Sequence, residues 1–85
     1  MPLEIRLTAT AKKYLDSLDK PTRKRIAEKL KAIAEAPSDA RLSKPLVGAD
    51  KRSARIGQYR ILFVTDEFFL TVVDIGPRGQ IYRNL

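Results

Sequence analysis

Residues 52–85 read RSARIGQYRILFVTDEFFLTVVDIGPRGQIYRNL, and their pattern decides the fold. Three apolar stretches, about 51–56, 59–65 and 68–75, are rich in Ile, Val, Phe, Tyr and Thr and have the length of strands. Gly57-Gln58 and Asp66-Glu67 separate them and supply the residues that tight hairpins need. Residues 80–83 are long enough for a short last strand. The segment is therefore a three- to four-stranded, mostly antiparallel meander.

The remainder of the chain precedes this sheet and reads differently. Leu3, Ile5 and Leu7 alternate with Glu4 and Arg6, the period of a half-buried strand. Thr8 or Thr10 is placed to cap a helix. Ala11, Tyr14, Leu15 and Leu18 then recur at i, i+3, i+4 and i+7, one face of that helix. Asp19-Lys20-Pro21 interrupts the pattern, with Pro21 suited to the first turn of a second helix. Ile26, Leu30, Ile33 and Ala34 line one side of it. Arg23, Lys24, Glu28, Lys31 and Glu35 cover the other, and Pro37 ends it. The short break predicts an antiparallel helical hairpin. Residues 38–50 form a connection long enough to need anchors, for which Leu42, Leu46 and Val47 are suited. The order βααβββ is an α+β fold, expected as one domain over residues 1–85.

Strand phase assigns side chains to the two faces of the sheet. Tyr59, Ile61 and Phe63 point together and suit the core beneath the helices, as do Ala54 and Ile56. Ser53, Arg55 and Arg60 then stand on the face left open, and Asp74 joins them. Strict alternation carries Leu62, Val64, Leu70 and Val72 to that same face, where an apolar area of this size calls for a partner. Phe68-Phe69, beside the second turn, is placed either to pack or to meet a partner.

Composition narrows the chemistry. The 85 residues include 17 Lys and Arg against 10 Asp and Glu, a net charge of +7, with no His and no Cys. The excess is spread along the chain: residues 1–50 carry 11 basic and 7 acidic side chains, residues 51–85 carry 6 and 3. Such a field draws polyanions, either a nucleic acid or an acidic protein. Without His or Cys, most hydrolase machinery is excluded, and neither a transition-metal site nor a cofactor is expected. No apolar run reaches the roughly 18 residues of a membrane span. The N-terminus MPLEIRL lacks the pattern of a signal peptide, and the absence of Cys fits a cytoplasmic location.

Arg55-Ile56-Gly57, then Tyr59-Arg60 opening an apolar strand, Asp66-Glu67 at a hairpin, Ile75-Gly76, Arg78 and Ile81-Tyr82-Arg83 form a combined signature. With it the chain resembles the RelE/ParE superfamily of toxin–antitoxin toxins. The strand and helix pair before it agree in order and length, so the resemblance spans nearly the whole chain. It implies a small basic α+β domain held by a cognate antitoxin that wraps it. In the RelE branch it implies metal-independent cleavage of mRNA in the ribosomal A site, with ribosome and mRNA as partners. In the ParE branch it implies inhibition of DNA gyrase with nothing cut. Carried over residue by residue, the RelE catalytic set falls on Arg55, Arg60, Arg78 and Tyr82. Lys51, Arg52 and Ser53 take the place of its substrate-binding stretch. The sequence departs from the pattern at Ser53, where a basic residue is expected, and at Gly79-Gln80, which lack a tail charge.

RNA cleavage by its own 2′-OH needs a base, charge neutralisation on the phosphorane and an acid at the leaving oxygen. Arginine is always charged and presents a fork suited to phosphate. Arg60 and Arg78 suit neutralisation and Arg55 suits phosphate positioning. Tyr82 suits orienting or accepting the 2′-OH proton, or stacking on a base. Spacing alone leaves open that Arg55 and Arg60 pair with Asp74 or Asp66 on the surface, that Arg78 is a solvated turn residue, and that Tyr82 is a core aromatic. The rival functions are the gyrase inhibitor and a basic RNA-binding module that has lost cleavage.

Overall fold

The computed structural model describes residues 2–46 and 50–77. Its elements are β1 (Glu4–Leu7), α1 (Ala9–Asp16), α2 (Lys20–Glu35), β2 (Lys44–Pro45), β3 (Arg52–Ile56), β4 (Tyr59–Thr65) and β5 (Phe69–Pro77). The α+β order expected from the sequence is the one observed.

Local chemistry sets the helix boundaries. Thr8 is the N-cap of α1, and its hydroxyl accepts from the Ala11 amide at 3.2 Å. The same hydroxyl donates to the Val73 carbonyl at 2.8 Å, which ties the helix start to β5. Asp19 caps α2 by accepting from the Thr22 amide and hydroxyl, at 3.1 and 2.7 Å. These bonds stabilise the carboxylate and lower its pKa, the Thr22 hydroxyl contributing most. Pro21 sits in the first turn of α2, where a missing N–H costs nothing.

The strands form one sheet in the order β1-β5-β4-β3-β2, with β1 parallel to β5 and the other pairs antiparallel. One face packs against the helices. Ala11, Ile26, Leu30, Ile33 and Ala34 meet Ala54, Ile56, Ile61, Phe63, Leu70, Val72 and Ile75 in a single cluster. Each larger side chain buried there is worth roughly 1.5–3 kcal/mol relative to exposure. Gly57 makes the β3–β4 turn with φ +56°, the left-handed conformation that two-residue hairpins require and glycine adopts freely.

Strict alternation fails on β5. Leu62 pairs with Asp74 and Phe63 with Val72, so Val73 is an extra residue opposite the Leu62/Phe63 step. Such a bulge reverses the phase of everything before it. Leu70 and Val72, expected on the open face, are therefore fully buried in the core. Leu62 keeps the expected phase, outside the helix-packed cluster, yet is only 2% exposed. It lies in the middle strand with Ser53 and Asp74 in register on either side. Val64 is half-buried. The open apolar surface expected from these four residues is not there.

The connection after α2 also holds structure the sequence did not announce. Lys44 pairs with Ser53 and Pro45 with Arg52, which makes β2 the edge strand beside β3. Leu42 packs against the core as expected. Val47 and the short strand expected at 80–83 lie outside the described residues.

Candidate functional site

Pairing of β3 with β4 sets Arg55 opposite Arg60 and Ser53 opposite Leu62. Ala54 and Ile56 point into the core, so Ser53 and Arg55 project away from it. The expected grouping of Ser53, Arg55 and Arg60 is observed. All three line one cavity of about 200 Å³, together with Lys29 of α2 and Arg41, Leu42, Ser43 and Lys44 of the connection. Five of these eight side chains are cationic and none is a carboxylate. That balance attracts an anion, and a water occupies only roughly 30 Å³, so a phosphate group fits with part of its hydration.

The positively charged residues are held in different ways. Arg55 is exposed, and its Nε donates to the Gly57 carbonyl at 3.4 Å. No ion pair joins it to Asp66 or Asp74 among the described residues. The Asp74 carboxylate accepts instead from the Ile75 amide at 2.9 Å. The Asp66 carboxylate accepts from the Phe68 and Phe69 amides, each at 2.8 Å, and these bonds lower its pKa. Arg60 is half-buried. Arg41 forms a two-pronged pair with Asp39, its Nε donating at 3.1 Å and a terminal nitrogen at 2.8 Å. The Arg41 side-chain and backbone bonds hold the Asp39 carboxyl at a pKa of about 2.

Lys51 and Arg52 do not join the cavity lining. The Lys51 ammonium lies 3.7 Å from Asp50. The Arg52 guanidinium donates to the Ser43 hydroxyl at 2.9 Å and to its carbonyl at 3.1 Å. It thereby fixes the connection, and with it the cavity residue Ser43, against β3. Arg78 and Tyr82 lie outside the described residues. Of the aromatic residues, Phe63 is fully buried, while Tyr59 is half-buried and meets Tyr14 edge-on at 6.4 Å. Burial raises the Tyr14 pKa, and Tyr59 adds to the rise. Phe69 lies under the Arg6 guanidinium at 3.3 Å, whereas Phe68 is 66% exposed.

Lys29, Arg41 and Lys44 are the cationic cavity residues that reading the sequence missed, and Ser43 is missed with them. Lys29 sits one turn before Ile33 on α2, at the border of its apolar face. Arg41 and Lys44 bracket the anchor Leu42, a spacing that hints at a basic rim. Only the pairing of Lys44 with Ser53 brings that rim to β3.

Known proteins of similar sequence and shape agree with one another. A family model described as the ParE toxin of the type II toxin–antitoxin system parDE matches residues 5–82. Searching curated protein sequences finds no match. Among solved structures, a chain in the toxin–antitoxin complex RelBE2 from Mycobacterium tuberculosis is 28% identical with TM-score 0.80. The match covers 92% of this chain and 100% of that one. An arginine-to-alanine double mutant of E. coli RelE in the free state is 19% identical with TM-score 0.80, covering 93% and 86%. A YoeB/ParE toxin from Agrobacterium tumefaciens is 16% identical with TM-score 0.76, covering 89% and 99%.

Proposed function

The chain belongs to the family of ParE toxins of type II toxin–antitoxin systems, and we propose that it acts in the cytoplasm as a metal-independent endoribonuclease on ribosome-bound mRNA. The observation that carries this reading is the cavity built around Arg55 and Arg60, whose lining among the described residues holds five cations and no carboxylate. A surface that only needed solubility would mix both charges there.

In this mechanism Arg55 and Arg60 hold the scissile phosphate. The 2′-oxygen bonds to the adjacent phosphorus, the bond from phosphorus to the 5′-oxygen breaks, and the leaving 5′-oxygen takes a proton from water to end as the 5′-OH. Arg60 and Arg78 offset the charge that builds on the phosphorane. Tyr82 orients the 2′-OH or takes its proton, which requires nearby cations to lower a phenol pKa normally near 10. Aligning the 2′-oxygen opposite the leaving oxygen contributes up to roughly 7–11 kcal/mol, so the ribosome serves as the frame that holds the RNA. A cognate antitoxin covers the basic cavity with acidic side chains; the 28%-identical relative was solved in a toxin–antitoxin complex.

Purified protein with programmed ribosomes and excess EDTA, ribosome integrity being maintained, tests the reading. It predicts fragments ending in a 2′,3′-cyclic or 3′-phosphate and a 5′-OH. Fragments with 5′-phosphate ends would overturn the mechanism.

Two observations favour a second reading. The matching family model is that of ParE toxins, and Ser53, only 8% exposed, stands where the RelE pattern has a cation. On this reading the chain inhibits DNA gyrase without cutting RNA, and Arg55→Ala with Arg78→Ala leaves toxicity intact.

A further inference from the structure

A second cavity, shallow and broadly open to solvent, adjoins the one just described and is lined by Arg25, Glu28 and Lys29 of α2 with Arg55, Ile56 and Gly57. Lys29 and Arg55 line both cavities. Arg25 and Lys29 are four residues apart on one helix face and reach the end of β3 side by side. A Cβ built on Gly57 would lie 3.5 Å from an Arg25 terminal nitrogen, so Arg25 reaches the β3–β4 turn. The result is a basic track from Lys44, past the shared pair Lys29 and Arg55, to Arg25, with Glu28 the one carboxylate lining either cavity among the described residues.

We infer that this track binds two successive phosphates of a single RNA strand, one in each cavity, with Lys29 and Arg55 between them. The inference rests on the proposed RNA substrate. It adds a second phosphate site, on α2, to the strand-borne site where cleavage is placed. Two cavities sharing a cationic wall match a backbone that repeats one negative charge per nucleotide. Only one cavity would be needed to receive an isolated anion. Arg25 and Lys29 act here as positioning residues, setting the register of the strand that Arg55 and Arg60 hold.

The test is binding of a fluorescent 2′-O-methyl oligoribonucleotide, which lacks a nucleophilic 2′-OH, followed by anisotropy across a salt series. Removing both cations in Arg25→Ala/Lys29→Ala should weaken binding at least about tenfold. It should flatten the plot of log affinity against log salt by about 0.7 for each phosphate of a single strand that is no longer neutralised. Arg25→Lys/Lys29→Arg should retain the wild-type slope. Amide shifts of the wild-type protein on adding an abasic phosphodiester trimer give a reading free of any folding defect. Residues 25, 29 and 57 should respond together with residues 55 and 60. Unchanged slope and affinity in the double alanine variant, or shifts confined to residues 53, 55 and 60, would overturn the inference. Displacement of the oligonucleotide by poly-glutamate at lower charge concentration than by abasic phosphodiester would also overturn it, in favour of an acidic protein. Failure of the nuclease reading is distinguishable: the oligonucleotide would still bind through Arg25 and Lys29 while ribosome-bound mRNA stayed intact.

Discussion

Replacing Arg55 with Gln should make the protein more stable and less active. Arg55 faces Arg60 in register across β3 and β4, and Lys29 lines both cavities that Arg55 lines. Like charges directly opposite on neighbouring strands destabilise a sheet by about 0.2–1 kcal/mol. Arg55 is exposed, so Gln removes the repulsion and leaves no cavity behind. For a chain of this size 1 kcal/mol moves Tm by about 4–8 °C, so Arg55→Gln should melt about 1–8 °C higher at low salt. The gain should vanish near 1 M salt, where the Debye length falls to about 3 Å. Losing a charge-assisted bond to phosphate costs about 1.5–3 kcal/mol, so cleavage of ribosome-bound mRNA should fall by about ten- to a hundredfold. The assays are thermal unfolding by circular dichroism at three salt concentrations and single-turnover cleavage. A lower Tm, or a gain that does not respond to salt, would refute the placement of Arg55 among like charges. Wild-type cleavage by the more stable variant would refute its role in holding phosphate.

Other substitutions separate the packing of the sheet from the chemistry of the site. Leu62→Asp should destabilise by at least about 3 kcal/mol, because it leaves an unpaired carboxylate at a position only 2% exposed. Val64→Asp, at a half-buried position, should cost clearly less in the same urea titration. Arg78→Ala should slow single-turnover cleavage at least roughly a hundredfold with Tm unchanged, and equal rates would remove Arg78 from the mechanism. Asp39, whose pKa falls from 3.8 to about 2 on pairing with Arg41, stabilises the folded state above its unfolded pKa. That contribution is lost as pH falls through the folded pKa. Wild type should therefore lose urea resistance between about pH 4 and pH 2 that Asp39→Asn, lacking the titrating group, does not lose.

The elements were legible because their signals are local. Thr8 caps α1 as expected, the break at Asp19-Lys20-Pro21 separates the helices with Pro21 opening α2, and Gly57 turns β3 into β4. Ser53, Arg55 and Arg60 were placed together by simple alternation on β3 and β4. Alternation missed the non-local features. Val73 is ordinary as a residue and becomes a bulge only through its pairing with β4, so Leu70 and Val72 were assigned to the wrong face. Lys44–Pro45 is too short to carry a period and is a strand only because β3 offers it an edge. The same holds for the cavity. Lys29, Arg41 and Lys44 are separated in sequence from Arg55 and Arg60, and only the docking of α2 and the connection beside β3 unites them.

The most direct test of the proposed function is transcriptome-wide mapping of RNA 5′ ends after brief expression of the protein without its antitoxin. An endoribonuclease acting on ribosome-bound mRNA predicts new 5′-OH ends within coding frames at a fixed codon phase, lost in Arg60→Ala and Arg78→Ala. Intact messages together with DNA damage would contradict it and assign the protein to gyrase inhibition.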